Sequence, residues 1–189
     1  DVTAAVEAAE ARLKQAEERA AELAATAEAA GLAARRAAAL DRIAAALDSG
    51  APFAAALRDL PADAVAPVLA DNAAAGLPTV AALRDGFADP ARAALEAALR
   101  ANMGESWTER VSNFLRSQTG LRSLSPRDGD DPDAVLSRAE AALGQGKLAE
   151  ALVELEKLPE AGKPALADWV AQAQVRIEAE AAFAALAAN

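Results

Sequence analysis

Trp107, Arg110, Phe114, Arg116, Arg122 and Arg127 crowd into one stretch, MGESWTERVSNFLRSQTGLRSLSPR (103–127), of a chain otherwise built largely from alanine. The sequence has 59 alanines in 189 residues, and this stretch has none. Trp107, Val111, Phe114 and Leu115 recur at i, i+4, i+7 and i+8, which places them on one face of a helix. Gln118 continues the face, and Leu121 and Leu124 lie just beyond it. From Trp107 to Arg127 four arginines stand against Glu109, a net +3; the whole chain carries −10, so the remainder carries −13. The chemistry open to such a segment is adsorption to a surface that is both anionic and oily. An amphipathic helix lies in the headgroup plane with its apolar side down, Trp prefers that boundary, and Arg meets lipid phosphate. Each basic residue near anionic lipid contributes about 1 kcal/mol, so three net charges give only ~3 kcal/mol, and insertion of Trp107, Phe114 and the leucines must add to that. The same residues also suit a core helix, with the rings packed on other helices and the arginines in water. Both readings stay open at this stage.

Other chemistry is sparse. The sequence has no Cys, His or Tyr, which excludes a Cys/His zinc site, a disulfide framework and any triad that needs histidine. Asp130-Asp131 and Glu17-Glu18 are paired carboxylates, but the first opens a helix and the second lies on a solvated helix face, with no convergent polar group beside either. Ser106, Ser112, Ser123 and Ser125 have no candidate base nearby in sequence, and Lys163 precedes Pro164 in a surface loop. No glycine-rich phosphate loop is present. The residues therefore predict no enzyme, and no catalytic, cofactor-binding or metal site. A chain this acidic is not expected to bind nucleic acid.

Helices must position whatever the segment does, since no stretch alternates with period 2. Residues 1–30 carry a 4-3 spacing: Val2, Val6, Ala9, Leu13, Ala16, Ala20, Leu23, Ala27, Ala30. This is a heptad seam flanked by Glu, Lys and Arg, and Val2, Val6, Leu13 and Leu23 are its self-association residues. So many alanines bury little area, so the seam is expected to be weak alone and close-approaching when paired. After Gly31 the phase shifts to a face of Leu40, Ile43 and Leu47, which stops at Asp48-Ser49-Gly50. Pro52 is expected to open a helix bearing Phe53, Leu57 and Leu60, closed by Pro61. A helix over 62–71 containing Pro67, a turn at 76–79 with Thr79 as N-cap for 80–86, and a helix over 90–102 capped by Asp89-Pro90 with Leu95 and Leu99 inward follow. Residues 120–132 form a break. Asp131-Pro132 then reads as N-cap and first residue of a helix ending at Gly144-Gln145-Gly146. Its partner carries Leu148, Leu152, Leu155 and Leu158, and a last helix from about Pro164 carries Leu166, Trp169, Val170, Ala173, Ile177, Phe183 and Leu186.

The expected fold is thus all-α: a helical bundle of short hairpins (48–189, including the 103–127 segment) preceded by a coiled-coil-like arm (1–47). Leu, Ile, Val and Phe number only 39, close to the level at which chains become disordered, so the core is thin in large side chains. The stretches 42–60 and 138–158 echo one another as helix, glycine turn, helix, proline, and each resembles half of a tetratricopeptide unit. No run of 18 charge-free apolar residues occurs. The opening, DVTAAVEAAEARLKQAEERA, reads as the middle of a longer helix, so any anchor is expected upstream.

Residues 138–186 resemble the C-terminal signature of the mitofilin family, organisers of crista junctions, in its alphaproteobacterial form. The likeness lies in the Gly144-Gln145-Gly146-Lys147-Leu148 turn, the Ala/Leu helix ending near Leu158, Ala167-Asp168-Trp169, and the last helix with Arg176 and Glu178. It extends more loosely to residue 40, through 50–60, 76–79, Phe87 and 129–143. The resemblance implies structural roles for Asp168 and Trp169. It also implies a membrane-shaping scaffold that self-associates, binds anionic membrane through its amphipathic helix, and contacts outer-membrane β-barrel assembly proteins. Such a protein sits on the periplasmic side of a bacterial inner membrane, held by a transmembrane helix upstream. The alternative is a non-enzymatic adaptor whose tetratricopeptide-like hairpins bind a protein partner.

Overall fold

The structure of the protein, a computed structural model, describes residues 2–102, 129 and 131–188. It is all-α, with no strand among the described residues. The first helix, α1 (Val2–Ser49), runs unbroken through Gly31. Ala, Leu, Glu and Arg are the best helix formers, and one interior glycine costs only about 1 kcal/mol against them. The helix stops at Gly50, whose φ of 77° is the left-handed conformation that glycine adopts freely. Gly50 also receives a close neighbour: a Cβ on Gly76 would lie 2.3 Å from its carbonyl oxygen, so these two turns touch backbone to backbone.

The segment between Gly50 and Thr79 departs from the expected helices. α2 is one turn, Ala54–Leu57, with Phe53 rather than Pro52 at its threshold. The N–H groups of Phe53 and Ala54 both donate to the Ala73 carbonyl, at 2.8 and 3.1 Å, which ties the turn down before a longer helix can start. The predicted 62–71 helix is split into a 3-10 turn, Ala62–Ala64, and α3 (Pro67–Asn72). Pro67 causes the split. It disfavours helical backbone at Ala66, which is extended (ψ 144°), and then serves as first residue of α3. The 42–60 half of the predicted echo is therefore not a hairpin of two helices. Thr79 caps α4 (Val80–Asp85) as expected, its Oγ1 accepting from the Ala82 N–H at 3.0 Å.

α5 (Ala88–Asn102) starts one residue earlier than its Asp-Pro signal, with the Phe87 carbonyl accepting from Ala91; Asp89 turns instead to Arg92 at 3.0 Å. Its inward face is Ala94 and Ala98, both fully buried, while Leu95 is half-buried and Leu99 is 43% exposed. The Leu99 expectation is thus corrected. The small face lets backbones close in, since a Cβ on Gly162 would meet the Ala94 carbonyl oxygen at 3.0 Å.

α6 (Pro132–Gly144) begins as read, with Asp131 Oδ1 accepting from the Ala134 N–H at 3.0 Å. It ends in a Schellman motif. Lys147 N–H donates to the Ala142 carbonyl and Gly146 N–H to the Leu143 carbonyl, both at 2.9 Å, with Gly146 at φ 75°. α7 (Leu148–Leu155) folds back on α6, and α8 (Lys163–Ala188) closes the chain.

α8 is the spine. At 1.5 Å per residue it is about 39 Å long and serves two cores in succession. Its N-terminal half supplies Leu166, Trp169 and Ala173 to a core with Phe87, Val135 and Leu143. Its C-terminal half supplies Ala179 and Leu186 to a second core with Ile43, Leu47, Phe53 and Leu69. Only the end of α1, from Ala39 onward, contributes buried residues; every described side chain from Val2 to Arg35 is exposed.

Candidate interaction surfaces

The arm comes first in the chain and is the least enclosed part of the structure. Residues 2–35 span about 50 Å of helix with solvent on all sides. The seam residues Val2, Val6, Leu13 and Leu23 are 81%, 50%, 61% and 70% exposed. Helix this long survives by alanine's propensity, because no packed face helps it. Its acidic and basic side chains face solvent, and the ion pair within it, Lys14 with Glu18, is stretched to 4.0 Å.

Where α1 enters the body it is clamped to α8 by two arginines. Arg36 Nη2 donates to the Leu186 carbonyl at 2.7 Å. Arg176 Nη1 donates to the Leu47 carbonyl at 2.5 Å, and its Nε to Glu180 Oε1 at 2.6 Å. Each accepting carbonyl lies in the last turn of its helix, where no intrahelical N–H remains to satisfy it. Residues 36 and 47 of α1 meet 186 and 176 of α8, so the helices are antiparallel and each supplies a cation to the other's negative dipole end. Arg176 is only 5% exposed, and with Glu180 and the Leu47 carbonyl its donors are well used.

The second anchor is Trp169. Its indole N–H donates to the Leu83 carbonyl at 2.8 Å, and its ring meets Phe87 edge-on, centroids 5.0 Å apart. One side chain thereby joins α8 to α4 and to the start of α5. Asp168, its neighbour, is exposed and has no hydrogen-bond or ion-pair partner among the described residues.

No protein-family model, curated protein or solved structure matches the chain.

On the body, α6 and α7 are linked by a charged network. Arg138 Nε donates to Glu154 at 2.9 Å, Lys157 Nζ donates to it at 2.8 Å, and Arg138 also reaches the Gly129 carbonyl at 2.7 Å. Hydrogen bonds from Lys157 and then Arg138 hold the Glu154 carboxyl below the ordinary glutamate range. Along α7 and α8 runs a shallow groove of about 380 Å³, lined by Leu152, Leu158, Val170 and Ala171 with Lys163 and Gln174 at its rim. Val153, on the opposite side of α7, is 57% exposed and borders a second concavity beside Arg138. Among the described residues no cluster of acids could hold a metal ion, and no helix is long and apolar enough to cross a membrane.

The predicted lipid-facing residues, Trp107, Arg110, Val111, Phe114, Leu115, Arg116, Leu121, Arg122, Leu124 and Arg127, lie outside the described residues. Val2, Val6, Leu13 and Leu23 are described, and their seam is free of the body. Arg176 is named in the sequence only as part of the mitofilin-like last helix, and its role at the α1–α8 junction is not legible there. Its one local signal was the i,i+4 spacing to Glu180; its burial depends on a carbonyl 129 positions away.

Proposed function

We propose that this chain is a membrane-organising scaffold: a non-enzymatic helical body that self-associates through its arm and binds anionic lipid through residues 107–127. The observation that carries the reading is the arm. Some 50 Å of helix with an apolar seam is held out from the fold that produced it, and the seam's natural cover is another helix. The lipid half rests on charge and composition, a net +3 with Trp107 and Phe114 inside a chain of −10. Two such segments on one dimer bind a surface far more tightly than one, since the second contact is intramolecular.

On this reading the protein works at the periplasmic side of a bacterial inner membrane, anchored by an upstream helix, and outer-membrane β-barrel assembly proteins are candidate partners. These last points rest on the mitofilin-like turn and Trp169 pattern. The test of the lipid half is co-sedimentation with anionic vesicles. Binding is expected at low salt, falling as salt rises, and lost when Trp107 and Phe114 are both changed to Asp. No binding at low salt, or binding untouched by the double change, ends the lipid assignment.

The adaptor reading is favoured by one observation, the apolar groove along α7 and α8. It differs in what it requires: peptide binding that Val170→Lys abolishes and that anionic vesicles do not compete.

A further inference from the structure

We infer that the arm pairs with a second copy of this chain as a parallel, in-register two-stranded coil; the inference rests on the self-association part of the reading above and adds its orientation. In the heptad frame of the seam, Val6, Leu13, Ala20, Ala27 and Ala34 fall at a, and Val2, Ala9, Ala16, Leu23, Ala30 and Ala37 at d. The positions that flank such a seam are then sorted by sign. Both charged g residues are basic, Arg12 and Arg19, and both charged e residues are acidic, Glu10 and Glu17. A parallel pair sets each g against the e five residues on in its partner, so Arg12 faces Glu17 twice over in the symmetric dimer. An antiparallel pair sets g against g and e against e, which brings arginine to arginine and glutamate to glutamate. The charges therefore favour one orientation and oppose the other. All four side chains are exposed, and none has an ion-pair partner among the described residues.

The described residues of the body leave room for this partner. In the same frame Ala39, Ile43 and Ala46, buried where α1 enters the body, occupy f, c and f, and Leu47, also buried, falls at g beside them, so the buried side is centred on the outer face of a two-stranded coil. The seam thus looks away from the chain's own body. The next a position after Ala34 is Asp41, exposed and charged, which ends the apolar seam as the helix joins the body. A two-fold axis along the coil then carries both bodies at one end, on opposite outer sides, and presents two copies of every surface the body owns in the same direction.

The chain has no cysteine, so single ones report orientation cleanly. Ala9→Cys and Ala30→Cys are both d positions, about 31 Å apart along the helix. Oxidation of each full-length variant alone is expected to give a disulfide-linked dimer. Arg12→Glu and Glu17→Arg are each expected to weaken dimerisation ~tenfold by sedimentation, and the double exchange to return it to within ~threefold of the parent. A dimeric mass with neither cysteine variant cross-linked alone would mean a pair that is not parallel and in register; it overturns the orientation and leaves self-association standing. A monomeric mass at every concentration, with neither variant cross-linked, overturns both, while vesicle binding is still read separately.

Discussion

The arm and the body are made from the same alanine-rich, acidic alphabet, yet one is solvated on all sides and the other is packed. In α5, Ala94 and Ala98 are fully buried because α6, α8 and the Gly162 turn close around them. In the arm, Ala9, Ala16, Ala20 and Ala27 stand at equally regular spacing and are all exposed. Alanine fits close helix contacts but cannot recruit them, because a methyl group buries little area. What recruits them in the body is a handful of large or hydrogen-bonding side chains: Phe87, Trp169, Ile43 and Arg176. Among the described residues the arm meets no counterpart to these side chains.

That difference can be broken most forcefully at Trp169. Trp169→Ala removes the indole, its bond to the Leu83 carbonyl and its edge contact with Phe87, and is expected to cost about 3–5 kcal/mol in chemical denaturation. Arg176→Met keeps the apolar stem but leaves the Leu47 carbonyl without its partner. A loss of about 2–3 kcal/mol is expected, with the junction between α1 and α8 opening first in hydrogen exchange.

A smaller effect is expected at Glu154. Its carboxyl titrates lower in the folded state than in the unfolded state, so its contribution is complete above the ordinary glutamate range and fades as pH falls through the lowered value. Glu154→Gln is expected to cost about 0.5–1 kcal/mol at pH 7 and to flatten the fall in stability below about pH 4.3, read from urea midpoints across pH. Least of all, Leu13→Ala is expected to leave the stability of the body unchanged within about 0.3 kcal/mol, while lowering the average mass in sedimentation. A body destabilised by Leu13→Ala would mean that the arm folds back on it.

What could be read from residues alone followed how local the cause was. Thr79 and Asp131 were legible because a cap needs only its own helix's N–H groups two or three positions on. Gly50 and Gly146 were legible as stops for the same reason. The heptad seam was legible as a pattern, and its exposure fits a face whose cover lies outside the fold. Leu99 shows that size alone does not mark burial: helices crossing at alanine bury the methyl face and leave the leucine beside it exposed. α2 is shorter than its sequence predicts because the carbonyl that pins Phe53 and Ala54 belongs to Ala73, beyond any local signal. Arg176 was invisible as a site, since nothing near it says that another helix ends against its guanidinium.

On the proposed pairing the arm is stabilised by contacts with another molecule, while the body's contacts lie within its own chain. Hydrogen exchange of the full-length protein across a hundredfold range of concentration tests this directly. Amides of residues 6–30 are expected to gain protection as concentration rises, in step with the dimer fraction, while those of α6 and α8 stay constant. Protection of the arm that equals the body's at the lowest concentration, or that never rises with dimer fraction, would contradict the account.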